Sequence, residues 1–246
     1  MLLFTLLLSF LCPSPQDSND QIQIINIGCF HAVETNIDIE LNWYALVRDD
    51  FQPDEYAMKK VELITSKCYD PIFGDDENSK SGARISISDS SQNPLLLIGG
   101  LKNINSETIE VQYLNFGNVY PGQTLTFATN PENIYKINGF GSAQQDSLMA
   151  NYSVISDYKI ILEKTKVYEK DIFVQQEIFV AETVYTSDEA MPSIAWAGDL
   201  DGDGKLDLIM NLTNHYNVSH LALYLSSSAD EGQLVKLVAE WRTTGC

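Results

Sequence analysis

The sequence predicts a mainly β protein, and three observations carry this prediction. Short runs such as residues 84–88 alternate apolar and polar side chains, which is the period of a half-buried strand. Turn-forming pairs such as Gly99-Gly100 and Pro121-Gly122 separate these runs. No segment keeps a helical period over several turns. We therefore expect an antiparallel, sandwich-like or irregular β assembly.

The first two thirds of the chain supply most of the expected strands. Apolar or alternating runs predict strands at residues 21–27, 37–47, 61–66, 84–88, 94–101, 154–163 and 173–185. Residues 54–60 are mixed in character and are expected to hold one helical turn. Residues 108–116 and 124–129 flank the Pro121-Gly122 turn, so we expect them to pair as a hairpin.

The C-terminal part has the clearest strand pattern. Residues 194–197 form a short apolar run. Residues 206–212 are apolar at every second position from Leu206 to Leu212, with the polar Asp207 and Asn211 between them. Two further alternating sets follow, made of Leu221, Leu223 and Leu225 and then of Val235, Leu237, Ala239 and Trp241. These four runs predict a four-stranded antiparallel meander.

The segment 199–207 joins the first two strands of this meander and has the spacing of a calcium loop. Calcium takes about six to eight oxygen ligands, and a tight loop supplies many of them from alternate positions. Gly202 and Gly204 permit the positive φ that such a turn needs. The candidate ligands are the side chains of Asp199, Asp201, Asp203 and Asp207 and the backbone carbonyl of Lys205.

The flanks of the loop distinguish it from an ordinary EF-hand. An EF-hand places a helix on each side and a bidentate glutamate at the twelfth loop position. The twelfth position here is Met210, and both flanks have strand character. Asp207, at the start of the second strand, is expected to close the coordination shell instead.

The run from Asp199 to Leu208 resembles the calcium loop of FG-GAP or VCBS-type repeats, as in the integrin α-subunit propeller. The resemblance covers about residues 193–225. It implies that the aspartates at the matching positions bind calcium between two strands. The remainder of the chain looks like a secreted bacterial protein carrying one such loop.

Composition limits the class of partner. The formal net charge is −19, spread along the 246 residues, which argues against nucleic acid and anionic membrane surfaces. Hydrophobic residues make up 44% of the chain, enough for a sizeable core. The length suits one large β domain or two small ones. We expect an N-terminal β region at residues 18–145 and a C-terminal β region with the calcium loop at residues 146–246.

The N-terminus predicts export. Residues 2–11 are apolar but are too short to span a bilayer, which takes about 20 residues. Their length is typical of a signal-peptide core, so we expect a signal peptide at residues 1–17. The alternatives are lipidation of Cys12 and retention of the segment as an uncleaved anchor. The expected location is secreted, periplasmic or at the cell surface, without a membrane span.

The other cysteines are Cys29, Cys68 and Cys246, and an exported protein permits disulfides among them. A bridge from Cys29 to Cys68 is one candidate, but connectivity cannot be deduced from sequence.

Three other groups of residues are candidate sites. His215 and His220 lie shortly after the loop and suggest a second metal site or an acid–base site, but we prefer a polar hairpin loop that contains both. A second calcium site at Asp75, Asp76 and Glu77 competes with a solvated acidic loop, which we prefer. Ser226-Ser227-Ser228 lacks the Gly-x-Ser-x-Gly context of a nucleophile.

The sequence therefore predicts a secreted calcium-binding β protein in which calcium is structural. An adhesion or surface-interaction role, with a protein or glycan partner, follows only from the FG-GAP resemblance. The alternative is a secreted hydrolase with a structural calcium and with His215 or His220 near the active site. The non-catalytic interpretation is preferred, and no catalytic residue is assigned.

Overall fold

A computed structural model confirms the mainly β fold. It describes residues 21–48, 55–70, 72–74, 80–89, 93–102, 104, 108–113, 117–130, 133–145, 153–166, 172–186 and 190–245. The described residues form sixteen strands, one 3-10 turn at Ala32–Glu34 and no α-helix. The expected signal peptide, Cys12, the acidic run 75–77 and Cys246 lie outside the described residues.

The strands are β1 (Gln23–Ile25), β2 (Gly28–Phe30), β3 (Trp43–Arg48), β4 (Glu55–Val61), β5 (Leu63–Cys68), β6 (Gly82–Ile87), β7 (Leu96–Gly99), β8 (Thr108–Tyr113), β9 (Thr124–Asn130), β10 (Asn133–Gln145), β11 (Ser153–Lys166), β12 (Ile172–Tyr185), β13 (Ser193–Gly198), β14 (Asp207–Asn211), β15 (Val218–Leu225) and β16 (Lys236–Thr244).

Nine of these strands form one antiparallel sheet in the order β1-β7-β3-β4-β8-β13-β14-β15-β16. Its last four members pair consecutively, which confirms the predicted C-terminal meander. In that meander Gly198 pairs with Asp207 and Leu208 pairs with Tyr224. The loop 199–206 is therefore the connection of the β13–β14 hairpin.

The meander is covered on both faces, because two separate cores pack against it. A first core joins one face to β1, β3, β4, β6 and β7, and includes Trp43, Ile98 and Trp196. A second core joins the opposite face to the four-stranded sheet, and includes Leu208 and Met210. Strands buried on both faces read as nearly continuous apolar runs.

A β-bulge in β13 distributes its side chains between the two cores. The register shifts between Ile194 and Trp196, so the simple alternation along the strand is interrupted. Ile194 and Ala197 consequently face the second core, whereas Ala195 and Trp196 face the first.

The four-stranded sheet has the order β12-β11-β10-β9. Its contacts with the meander are polar as well as apolar. Tyr224 on β15 donates a hydrogen bond to the Ile178 carbonyl of β12 at 3.0 Å. The Gln176 amide on β12 accepts from the backbone of Leu234 at 2.7 Å and Val235 at 3.1 Å, and donates to the Val235 carbonyl at 2.8 Å.

The third sheet is small and has the order β2-β6-β5. A disulfide joins Cys29 on β2 to Cys68 on β5 across it, with a Cα–Cα distance of 6.2 Å. Ile85 and Ile87 on β6 enter the first core, which attaches this sheet to the nine-stranded one. The structure thus selects one of the cysteine pairings that the sequence left open.

Two expectations about the N-terminal half are wrong. Residues 55–60 lie in β4 and do not form a helical turn, since β4 pairs with β3 and β8. The described parts of the 108–116 and 124–129 runs, β8 and β9, do not pair with each other as a hairpin. β8 pairs with β4 and β13, whereas β9 pairs with β10. The Pro121-Gly122 turn itself forms, because the Gln123 N–H donates to the Tyr120 carbonyl at 3.0 Å and Gly122 has a φ of 83°, but it does not join two paired strands.

The proposed division near residue 145 stays a prediction. Strands from both regions pair within the nine-stranded sheet, and β10 pairs with β11 across the division. In the part of the chain that the structure describes, no helix has the length and apolarity to cross a membrane.

Candidate metal centre

The loop between β13 and β14 turns on two glycines. Gly202 and Gly204 both have φ near +79°, a region that side chains with a Cβ adopt only with strain. A Cβ added at either position would meet no atom within 4 Å, so the requirement is conformational rather than steric. The two glycines therefore allow the backbone of the loop to turn at these positions.

Three carboxylates converge inside this loop. One oxygen from each of Asp199, Asp201 and Asp207 lies within 4.8 Å of the others. Asp207 is fully buried, and the other two are half-buried. Charged oxygens this close repel one another unless a proton or a cation lies among them. These three residues could therefore hold a metal ion.

Asp207 is the innermost carboxylate of the group. Its Oδ2 accepts a hydrogen bond from the Leu200 backbone at 2.8 Å, and its Oδ1 accepts from the Ser226 backbone at 2.7 Å and from Ser226 Oγ at 2.9 Å. Burial, reinforced by the charge of Asp201, nevertheless raises the pKa of Asp207 to about 8. The folded protein thus disfavours a negative charge here in the absence of a compensating cation.

Asp199 organises the backbone of the turn. Its carboxylate accepts hydrogen bonds from the backbone N–H groups of Gly202 at 2.9 Å, Asp203 at 3.0 Å and Gly204 at 2.8 Å. Burial raises the pKa of Asp199, and the nearby charges of Asp203 and Asp201 act in the same direction. The hydrogen bonds only partly offset these effects.

Asp201 carries a buried oxygen that lacks a hydrogen-bond partner in the part of the chain that the structure describes. Its Oδ2 accepts a hydrogen bond from Ser227 Oγ. Its Oδ1 is buried and has no hydrogen-bond partner among the described residues. A buried carboxylate oxygen without a partner is costly, and coordination to a hard cation would satisfy it. The donor set therefore fits such an ion.

The other two predicted ligands lie on the outer side of the loop. Asp203 Oδ1 accepts from the Lys205 backbone at 2.8 Å and from Ser226 Oγ at 3.1 Å, while Lys205 Nζ lies 3.1 Å from Asp203 Oδ2. Asp203 is consequently paired with an ammonium group and is not one of the three converging carboxylates. Its role and that of the Lys205 carbonyl stay predictions.

Two serines contact the group, and no motif in the sequence predicts their place there. Ser226 bridges Asp203 and Asp207, and Ser227 contacts Asp201. Both follow β15, which the meander brings beside the loop. The serine run was considered only as a nucleophile, and its proximity to the aspartates depends on the strand register rather than on a local motif.

The loop also contacts the four-stranded sheet. Thr129 Oγ1 on β9 lies 3.4 Å from the Gly204 carbonyl, to which it donates. Tyr135 on β10 is buried, which raises the pKa of its hydroxyl, and that hydroxyl is hydrogen-bonded to the backbone of Leu206. The hairpin connection is thus held between two sheets.

The histidines considered in the sequence lie away from this loop, beyond the other end of β14. His215 occupies the turn between β14 and β15, where Nδ1 contacts Asn217 Oδ1. His220 lies on β15, and its Nε2 is 2.9 Å from Glu240 Oε1. The described contacts bring neither histidine to the aspartates.

His31 takes part in a buried pair that the sequence did not reveal. Its Nδ1 lies 2.6 Å from Asp70 Oδ2. Asp70 Oδ1 also accepts from the backbone N–H groups of Ile72 at 3.0 Å and Phe73 at 3.2 Å. Burial opposes ionisation of Asp70, but these hydrogen bonds outweigh it and lower the pKa of its carboxyl. The pair lies beside the disulfide and stabilises the turn after β5.

Comparison with known protein families, with curated proteins and with solved structures found no match to this chain.

Proposed function

We propose that the loop 199–207 binds a calcium ion, with ligands from the side chains of Asp199, Asp201, Asp203 and Asp207 and from the Lys205 carbonyl. The convergence of three carboxylate oxygens within 4.8 Å carries this proposal. Among the described residues, no lysine, arginine or histidine forms an ion pair with any of these three aspartates. A bound cation, or a retained proton where no cation is bound, offsets their charge.

The chemistry of the donors favours calcium over softer metals. All proposed ligands are oxygens, which suit hard cations, whereas zinc and copper sites draw on histidine and cysteine. The five proposed protein ligands also suit calcium better than magnesium, because magnesium usually keeps several waters.

A bound ion would stabilise the loop and its contacts with the neighbouring strands. Asp207 begins β14, and its hydrogen bonds reach the end of β15 through Ser226. Thr129 connects the same loop to the four-stranded sheet. Neutralising the aspartates would therefore stabilise the contact between the meander and that sheet. Binding to the native state alone adds about 3 kcal/mol at a hundredfold excess of ion over Kd.

The biological role we propose is that of an exported adhesion or surface-interaction protein with a protein or glycan partner. The Cys29–Cys68 disulfide supports an oxidising compartment, as found outside the cytosol. The FG-GAP resemblance of the loop supports the interaction role, and this step is an analogy.

The test is calcium titration calorimetry combined with thermal unfolding, on the wild type and on Asp201→Asn. The variant keeps the shape of the side chain but removes the negative charge of the carboxylate whose Oδ1 has no hydrogen-bond partner among the described residues. We expect one calcium per chain for the wild type, a rise in Tm with calcium, and an affinity at least about tenfold lower for the variant.

Asp157→Asn is the matched control, because Asp157 is exposed on β11 and asparagine tolerates its φ of 53°. It should bind calcium like the wild type. Absence of binding heat and of any change in Tm would contradict the calcium proposal. The non-catalytic role would instead fail if a hydrolase screen found activity that His215→Ala or His220→Ala abolishes.

A further inference from the structure

A recess lies between β12 of the four-stranded sheet and the end of the meander that is remote from the calcium loop. Its volume is about 430 Å³, which is within the range of small-ligand sites. Phe179, Val184 and Leu212 give it apolar walls, and His220 and Arg242 lie at its edge.

The recess differs in charge from the rest of the molecule. The chain has 34 acidic and 15 basic residues, yet none of the described residues that line this recess is acidic. By contrast, a cavity beside the calcium loop is lined by Asp201, Asp203 and Lys102. A groove between β1 and β16 is lined by Glu34 and Glu240, and Arg242 lines this groove as well as the recess. Among the described residues that line the recess, Arg242 therefore supplies the one fixed charge, and that charge is positive.

The guanidinium group of Arg242 can bind an anionic group of a ligand in the recess. Its guanidinium has one described contact, at 3.5 Å from Nη2 to the Asn214 amide oxygen, and Asn214 also lines the recess. That contact is at the limit of a hydrogen bond, so most of the five N–H donors of the guanidinium remain available. Planar guanidinium groups bind carboxylates through two parallel hydrogen bonds.

The nearby acidic side chain is engaged elsewhere. Glu240 Oε1 lies 2.9 Å from His220 Nε2, so this carboxylate orients the imidazole. Cross-strand pairing places His220 directly opposite Arg242, which keeps both groups on one side of the meander.

We propose that this recess binds a small carboxylic acid with an apolar body, with the carboxylate on Arg242 and the body between Phe179 and Leu212. This inference is independent of the calcium loop. A free acid and the C-terminal carboxylate of a peptide share this chemistry. For a ligand of about a dozen heavy atoms we expect Kd between about 0.1 and 1 mM.

The experiment follows the methyl resonances of Ala181, Val184 and Leu212 by NMR while 3-phenylpropionate is added. These methyl groups line the recess and report binding there specifically. We expect saturable shifts with the acid and at least about tenfold weaker binding of 3-phenylpropanamide, which lacks the charge. N-acetyl-alanyl-phenylalanine provides the peptide arm, and tighter binding of it than of the small acid would identify a peptide terminus as the source.

Arg242→Gln should weaken binding of 3-phenylpropionate at least about tenfold and leave the methyl spectrum of the free protein otherwise intact, because Arg242 is exposed. Arg84→Gln, an exposed arginine on the three-stranded sheet, is the control and should bind normally. Ala181→Leu, which fills the recess, should also abolish the shifts at Leu212. No saturable shift with either acid, equal binding of acid and amide, or unchanged binding by Arg242→Gln would overturn the proposal.

Discussion

Ser226 and Asp207 are joined twice. The Ser226 backbone N–H and its hydroxyl both donate to Asp207 Oδ1, at 2.7 and 2.9 Å. The same hydroxyl lies 3.1 Å from Asp203 Oδ1. One serine at the end of β15 thus connects the innermost carboxylate of the candidate metal centre to the outer part of its loop.

Ser226→Ala should destabilise the protein by about 1–3 kcal/mol, because a buried carboxylate loses a hydroxyl donor. The backbone hydrogen bond to Asp207 should persist, so the fold should be retained. The free energy of unfolding in urea measures the effect. Ser219→Ala, at an exposed position on β15, is the matched control and should change stability by less than about 0.5 kcal/mol. Equal stability of the two variants would show that the Ser226 hydroxyl is dispensable.

The metal-free protein should become less stable as pH rises from about 4 to about 8. Burial raises the folded-state pKa of Asp207 to about 8 from its usual 3.8, and it raises that of Asp199 in the same direction. The folded state therefore retains a proton that the unfolded chain releases in this window, and each released proton favours unfolding. Thermal unfolding in metal-free buffers across this range measures the trend.

Saturating calcium should weaken or remove this pH dependence above pH 6, because an ion keeps the aspartates charged at little cost. Asp207→Asn, which removes the proton, should also flatten the metal-free profile. A metal-free Tm that increases steadily from pH 4 to 8 would contradict the assignment of a raised pKa to Asp207.

Lys205 should weaken calcium binding through its side chain while contributing its carbonyl. Its ammonium group lies 3.1 Å from Asp203 Oδ2, where it competes with an ion for that carboxylate. Lys205→Met keeps the carbonyl and removes the charge. We expect calcium affinity to rise about three- to fivefold, equivalent to ~1 kcal/mol, in calorimetric titration.

Lys159→Met is the control for this charge effect. Lys159 lies on β11 and pairs with Glu177 at 2.8 Å, so it has no contact with the loop. Its replacement should leave calcium affinity unchanged. A fall in affinity for Lys205→Met would indicate that the ammonium group supports the loop geometry instead of competing with the ion.

The loop and the meander could be predicted because their signals are local. Glycine and aspartate spacing indicates a turn that supplies oxygens, and the alternation around Leu221 and Trp241 indicates strands. Ser226 and His31 had no such signal, because their carboxylate partners are 19 and 39 residues away in sequence. Only the pairing of strands brings them together.

The long strand β10 was missed for a related reason. It contains Gly139 and Gly141, which read as turn residues in a sequence. A Cβ at Gly139 would lie 2.4 Å from the Tyr120 carbonyl, so a neighbouring backbone segment requires glycine there. Gly141 lies at the register shift between Phe140 and Ser142, with φ of +145°. Gly139 therefore allows a neighbouring backbone segment to approach closely, and Gly141 allows a bulge inside the strand.

Removal of the disulfide should destabilise the protein by about 4 kcal/mol. The bridge joins residues separated by 39 positions, and closing a loop of that length restricts the unfolded chain by roughly this amount. The double variant Cys29→Ser/Cys68→Ser, compared with the wild type in urea unfolding, measures the loss. Hydrogen exchange should localise the largest change to β2, β5 and β6. A uniform loss of protection across all three sheets would contradict an effect centred on the small sheet.

Gln176 should be one of the main polar links between the four-stranded sheet and the meander. Its amide makes three hydrogen bonds to the backbone of Leu234 and Val235, just before β16. Gln176→Ala would leave these backbone groups without their partners at a part-buried position, which costs about 1–3 kcal/mol for each group that water does not reach. Gln175→Ala, at the exposed neighbouring position, removes a similar side chain without these bonds and should be nearly neutral. Urea unfolding and amide exchange at residues 234–235 measure the two variants. Unchanged exchange there in Gln176→Ala would show that the Gln176 hydrogen bonds do not protect this segment.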